Sequence, residues 1–200
     1  MRLNLSKKAP SKIYFTADTH FGHTNIIRYC GRPFETKEEH DRVLIENWNN
    51  KVQPQDVVYH LGDFGFGTPD DLRKIAAKLQ GKIHFIRGNH DKPTTLDVIG
   101  GRFASIKDVS IIYPTYNDKK ITIFLSHYAH RTWFKSNHGS WHLWGHSHNN
   151  LSPHGLSFDV GVDAWNFEPI SIEQVGSKIE SLQKVLDYNS ADQHLEMPEE

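Results

Sequence analysis

Histidine both titrates near neutral pH and readily binds transition metals, and it occurs 14 times in this chain, spread from His20 to His194 rather than gathered in a terminal run. Several stand beside Asp, Asn or Gly in five short motifs: Asp18-Thr19-His20, Gly62-Asp63, Gly88-Asn89-His90-Asp91, Ser126-His127 and Gly145-His146-Ser147-His148. Together these offer carboxylates, imidazoles and one amide oxygen without a thiolate, a donor set that suits Mn, Fe, Zn or Ni better than Ca. Asp18 with His20, and His146 with His148, are two residues apart, so in extended chain each pair points to one side and converges on one place. Asp18, His20, Asp63, Asn89, His127, His146 and His148 are too many donors for one ion, and a closed structural zinc needs only about four, usually with thiolates. The set points to a paired metal centre with open positions, and open positions imply catalysis.

Each motif follows a segment with strand character. Residues 13–17 are a short apolar, β-rich run that ends abruptly at Asp18, and residues 56–61 and 82–86 repeat the pattern before Gly62-Asp63 and Gly88-Asn89. Helices are expected at 25–29, at 36–48 behind a Thr36/Glu39 capping box, and at 69–79, which Gly81 terminates. Three strands that each deliver polar residues from their carboxyl ends are the usual framing of a ligand site in an open α/β sheet. Further on, strands are expected at 103–113, 121–125, 140–144 and 156–160, joined by short turns rather than helices. A closing helix with an apolar stripe covers 171–186, and an acidic, frayed tail is expected after about residue 188.

With 200 residues and 37% hydrophobic content, the chain reads as a single domain, 1–200. A formal net charge of −1 gives no overall attraction to polyanions, so any such ligand must be bound locally. A single cysteine, Cys30, cannot form an internal disulfide; with no signal-like start, this fits a reducing cytoplasm. No window approaches the roughly 18 apolar residues of a membrane helix, so no membrane partner is expected.

The order of the five motifs resembles that of the calcineurin-like metallophosphoesterases, from Asp18 to about Asp163, and the run Asp18-Thr19-His20-Phe21-Gly22-His23-Thr24-Asn25 resembles a branch of short bacterial and phage-encoded members. The resemblance implies an α/β fold, a four-layer αββα sandwich of two mixed sheets flanked by helices. It implies that Asp18, His20 and His148 bind one metal, that Asn89, His127 and His146 bind the other, and that Asp63 bridges them. The cofactors would be two divalent transition-metal ions, with Mn favoured and Fe, Ni or Zn acceptable. Such a pair lowers the pKa of a bridging water toward about 7 and orients a phosphate. By the same resemblance His90 is the general acid, with Asp91 orienting its ring. Apart from it, His23 and Arg87 could reach a phosphate oxygen, the alternative being a basic residue that is solvated or paired with a structural carboxylate.

The substrate expected is a phosphate ester, a phosphodiester ahead of a monoester because the short chain shows no cap insertion, and a nucleotide or nucleic-acid end is a candidate. The alternatives are a noncatalytic scaffold with this fold and a passive metal-binding protein. For His40, His84, His130, His138, His142, His154 and His194 a structural role outweighs a ligand role, and His60 is expected to support the loop before Asp63. Trp133, Phe134, Trp141 and Trp144 could stack a nucleobase but read better as core. Asp159 and Asp163 read as turn or supporting residues.

Overall fold

The computed structural model describes residues 11–193, with side chains through Leu186. A five-stranded sheet has the order β11-β1-β2-β3-β4. Strands β1 (Ile13–Thr16), β2 (Val57–His60), β3 (Lys82–Ile86) and β4 (Phe103–Lys107) are parallel, while β11 (Ile170–Ser171) is antiparallel to β1. A four-stranded sheet has the order β10-β9-β8-β5; β8 (Ile123–Ser126), β9 (Trp141–Trp144) and β10 (Ser157–Asp159) are parallel, and β5 (Val109–Ile112) is antiparallel to β8.

The first sheet is covered on both faces, which is why its strands are apolar at successive positions rather than at alternate ones. Tyr14, Val58, Ile83 and Phe85 face α2 (Lys37–Lys51), α3 (Pro69–Lys78) and α4 (Pro93–Ile99), packing with Leu44, Trp48, Leu72, Ala76, Leu96 and Ile99. Phe15 and Ile86 face the second sheet, where Ile123, Leu125, Leu143 and Phe158 meet them, and Val175 and Ile179 of α5 (Ile172–Gln193) close the same interior. This is the expected mixed α/β arrangement of two mixed sheets with flanking helices. On the outer side of the second sheet, residues 127–140 carry His130 and Trp133 onto the His142 ring.

The caps follow the sequence. Thr36 Oγ1 accepts from the Glu39 amide at the start of α2, and Thr68 Oγ1 accepts from the Asp71 amide at the start of α3, where Pro69 occupies the first turn. The short α1 (Thr24–Tyr29) lies where the helical turn was expected. Two expectations need correction, and one helix, α4, was not expected. The strand expected at 103–113 is two strands in different sheets, with the chain crossing at Asp108. Helix α4 had no strong periodicity, since only Leu96 and Ile99 of its seven residues are buried. The second half is not joined by short turns throughout: parallel β8, β9 and β10 need return connections as long as a strand, supplied by 127–140 and 145–156. A tight hairpin does join β6 (Thr115–Tyr116) to β7 (Lys119–Lys120), with Asn117 and Asp118 both at positive φ.

Helix α5 runs past its expected end at Leu186 to Gln193, and the rest of the expected tail, with His194, lies outside the described residues. Among the described residues no helix is long and apolar enough to cross a membrane.

Candidate metal centre

All five motifs leave the carboxyl ends of parallel strands, β1, β2 and β3 in one sheet and β8 and β9 in the other. The loops after β1 and β2 zip together: the amides of Asp18, His20 and Phe21 donate to the carbonyls of Gly62, Asp63 and Phe64 at 2.9, 3.0 and 2.9 Å. The Gly145 amide extends the β8–β9 pairing by donating to the His127 carbonyl, and the sheets meet where the His146 amide donates to Asp18 Oδ2 at 2.8 Å. Glycine permits this approach. A Cβ on Gly145 would stand 2.7 Å from Asp18 Oδ2.

Five of the seven expected ligands hold left-handed backbone: Asp18 (φ 55°), His20 (49°), Asp63 (57°), His146 (68°) and His148 (47°). For residues with a Cβ this conformation costs roughly 1–2 kcal/mol each, and such residues gather at functional sites. The kinks also replace the extended geometry assumed from the two-residue spacing. Asp18 and His20 do join one group, with His148, but His146 joins a second group with Asp63 and His127. Within each group the donor atoms lie within 4.8 Å of one another.

The two groups touch at Asp63. Its Oδ2 is 3.6 Å from His20 Nε2 and 3.6 Å from His127 Nε2. His127 Nδ1 faces the Leu61 carbonyl at 2.8 Å and must donate its proton there, so Nε2 presents a lone pair toward Asn89 Oδ1, 2.9 Å away. Three acceptors thus converge with no proton between them, and a cation reconciles them. In the other group Asp18 Oδ1 and both ring nitrogens of His20 are buried without hydrogen-bond partners. Burial, followed by the charge of Asp159, pushes the Asp18 carboxyl well above its usual range, and burial pushes the His20 imidazole far below its own. Orphaned acceptors, crowded carboxylates and neutral imidazoles are what a divalent cation needs, and the thiolate-free donor set fits a transition metal.

A family profile described as the calcineurin-like phosphoesterase superfamily domain matches residues 12–157. The chain belongs to that superfamily. As a calcineurin-like phosphoesterase it is similar to the uncharacterized protein MJ1445 of Methanocaldococcus jannaschii, at 36% identity over 84% of this chain and 92% of that protein. It is also similar to the Gene 66 protein of Mycobacterium phage L5, at 27% identity over 78% of this chain and 88% of the phage protein. Among solved structures, the protein of unknown function AQ665 from Aquifex aeolicus has a TM-score of 0.63 at 25% identity, covering 86% of this chain and all of that one.

The network behind the expected ligands was largely hidden from sequence reading. Arg32, 4% exposed, donates from Nε and Nη2 to both oxygens of Asp163 at 2.7 Å, from Nη2 to the Asp18 carbonyl at 2.8 Å, and from Nη1 to the Thr19 carbonyl and His40 Nε2. Asp163 Oδ2 in turn accepts from His148 Nδ1 at 2.7 Å, which aims Nε2 at the first group. Burial works against a charged His148, but hydrogen bonds to Asp163 and Cys30 and the charge of Asp18 outweigh it and push the ring up to about 10 in the metal-free chain. Cys30 also lies within 4.8 Å of His148 and Asp163. Asp159 shapes the same loop, accepting from Ser147 Oγ at 2.6 Å and from the amides of Asn149 and Gly161.

Several of the remaining histidines have structural partners. His60 meets Thr19 Oγ1 at 2.9 Å and accepts from the Gly62 amide; His84 pairs with Ser105; His142 sits between Ser126 and Ser157. Trp141 and Trp144 are buried, and Trp133 donates to the Ser140 carbonyl and packs on His142, so these three serve packing; Phe134 does not join the core, being 41% exposed with the Lys135 ammonium over its ring.

Asp91 departs from expectation. It does not engage the His90 ring: its carboxylate accepts from the amides of Asp63, Phe64 and Gly88 at 2.8, 3.0 and 2.7 Å, pinning the loops that carry Asp63 and Asn89. Three unpaired amides in tight loops capture the carboxylate before a half-exposed ring can. The His90 ring instead packs against Phe66 at 4.9 Å, with Nε2 4.0 Å from Asp63 Oδ2. His23 stacks on Phe66 at 4.0 Å and lies 5.6 Å from His20. Arg87 pairs with Asp108 at 3.3 Å beside Asn89.

Proposed function

We propose that this chain is a metal-dependent phosphoesterase that holds two divalent cations, Mn ahead of Fe, Ni or Zn, and hydrolyses phosphodiesters in preference to monoesters. The observation that carries the reading is the position of Asp63 Oδ2, equally 3.6 Å from an imidazole of each donor group. A carboxylate there can serve two cations at once and offset their repulsion. Asp18, His20 and His148 would hold one, Asn89, His127 and His146 the other. When bound, such a pair acidifies a water molecule and neutralises phosphoryl charge.

The chain's own groups then do the rest. As the water oxygen adds to phosphorus and the bond to the leaving alcohol breaks, His90 would give a proton to the departing oxygen. Its side chain is 47% exposed at the rim, where an alcohol can reach it. His23 could hold a nonbridging oxygen, and Arg87, paired with Asp108, could meet one ester group of the substrate. Among the described residues no cap covers the site, which suits a monoanionic diester with two substituents better than an enclosed dianion. Both sheets contribute donors, so we read the chain as one domain, and its single cysteine suits a reducing cytoplasm.

The test is hydrolysis of bis-p-nitrophenyl phosphate by protein loaded with Mn, Fe, Ni or Zn in turn. Turnover with at least one metal is expected, and Asp63→Ala should lose it together with metal at both positions. Two tightly bound ions per chain without turnover would favour a scaffold or a metal-binding protein. Retention of both ions by Asp63→Ala would place the bridge elsewhere.

A further inference from the structure

A cavity of about 300 Å³ opens beside the centre, walled by Arg87, Asn89, Asp108, His127, Tyr128 and His130. Asn89 and His127 belong to the candidate centre, so whatever fills this cavity is attached to, or adjoins, the phosphorus. Tyr128 is 48% exposed, as large aromatic side chains elsewhere on this surface are. It is held nonetheless: its ring leans edge-on against His127 and His146, with centroids at 5.0 and 4.7 Å. The exposed His130 is steadied similarly, edge-on to Phe124 and His142 at 5.2 and 5.5 Å. The cavity therefore has fixed flat surfaces beside the ligands of one metal group.

Its charged wall limits what it takes. The Arg87 guanidinium lies 3.3 Å from Asp108 Oδ1, and both side chains are accessible, at 44% and 78%. A second phosphate drawn to Arg87 would meet the Asp108 carboxylate, and an ammonium drawn to Asp108 would meet the guanidinium. A neutral group with donors and acceptors side by side satisfies both, and a flat one gains contact with Tyr128 as well. Resting on the phosphodiesterase reading above, we propose that this cleft is the subsite for one ester group of the substrate and that this group is a nucleoside. The base lies against Tyr128 with its polar edge toward Arg87 and Asp108. Stacking on an aromatic side chain tolerates any base, so the preference is for a nucleoside rather than for a sequence.

The experiment compares three diesters sharing one leaving group: the p-nitrophenyl esters of thymidine 5′-phosphate, of methyl phosphate and of phosphorylcholine, each with Mn-loaded protein. The thymidine ester should exceed the methyl ester in kcat/KM by at least about ten-fold. That ratio should collapse in Tyr128→Ala, chiefly through KM, and survive in Tyr128→Phe, with metal content matched throughout. Equal use of thymidine and methyl esters, preference for the choline ester, or an unchanged ratio in Tyr128→Ala would each overturn the assignment. If no ester turns over, the phosphoesterase reading fails, and calorimetric binding of thymidine 5′-phosphate decides the cleft separately. Native binding that is weakened at least about ten-fold in Tyr128→Ala supports the subsite; no binding, or equal binding, overturns it.

Discussion

His90 is fixed from two sides without help from its acidic neighbour: its amide donates to Asp63 Oδ1 at 2.9 Å, and its ring rests on Phe66. The residue is thereby tied to the carboxylate that both donor groups meet, and in the proposed role Nε2 would give its proton to the leaving oxygen. General acid catalysis contributes about 10²–10⁴ in rate when the leaving group is poor and little when the leaving anion is already stable. We expect His90→Ala to keep its metal, to slow an alkyl ester by a factor within that range, and to lose far less on a p-nitrophenyl ester. Equal slowing of both substrates at matched metal content would assign His90 to phosphoryl charge instead. At this scale the sequence named residue types well and partners poorly. Asp18, His20 and Asp63 are legible because a polar motif ends an apolar strand, but Asp91 follows His90 in sequence and serves three backbone amides instead. Arg32 had no local mark, since its partner Asp163 lies 131 positions away.

The loops that end the strands are the least tolerant parts of the fold. Gly62, at φ +97°, precedes Asp63, and a Cβ there would lie 2.6 Å from His127 Nδ1 and 2.7 Å from the Gly88 nitrogen. Backbone strain of roughly 1–2 kcal/mol would combine with displacement of His127 from the Leu61 carbonyl. Gly62→Ala should therefore lower the melting midpoint by at least about 2–4 °C per kcal/mol for a chain of this size, and should also lose metal. A variant with native melting and full metal content would show that the loop relaxes around the added methyl. Strands and capped helices were readable because apolar runs, Thr caps and Gly stops are local. Sheet membership was not: one apolar stretch, 103–113, supplies β4 and β5 to different sheets, and no local propensity marks a crossing at Asp108.

For the whole molecule, cations that bind only the folded chain stabilise it by mass action, about 2.7 kcal/mol for a site at 100 times its Kd. Chelation should lower the melting midpoint by several degrees, and an unchanged midpoint after verified metal removal would uncouple the centre from folding. The metal-free chain should also be acid-sensitive through His142, away from the ligands. Burial, then the neighbouring His130, holds this imidazole down to about 3, against an ordinary value of 6.5. The folded state keeps it neutral, so the unfolded state binds the extra proton between those values. Its contribution is complete above about pH 6.5 and is lost as pH falls toward 3. Between pH 7 and pH 5 that loss is about 2 kcal/mol. Unfolding free energies from urea titrations of metal-free native and His142→Asn proteins should converge by about this amount; parallel pH dependence would show that His142 titrates normally in the folded chain.

The centre draws on both ends of the described chain, and this sets an order of events during synthesis. The four parallel strands of the first sheet exist once Lys107 has been made, yet the His146 amide that holds Asp18, the Asp163 that neutralises Arg32, and the β11 edge beside β1 all come later. At about 5–20 residues per second the interval to Asp163 is roughly 3–11 s. Early in that interval a nascent chain offers Asp18, His20, Asp63 and Asn89 without the imidazoles of His127, His146 and His148, so a cation caught then would be held by a partial set of the proposed donors and would leave again. Discrimination among divalent ions by the proposed nitrogen donors would therefore wait until His148 has been made, well after the first four strands.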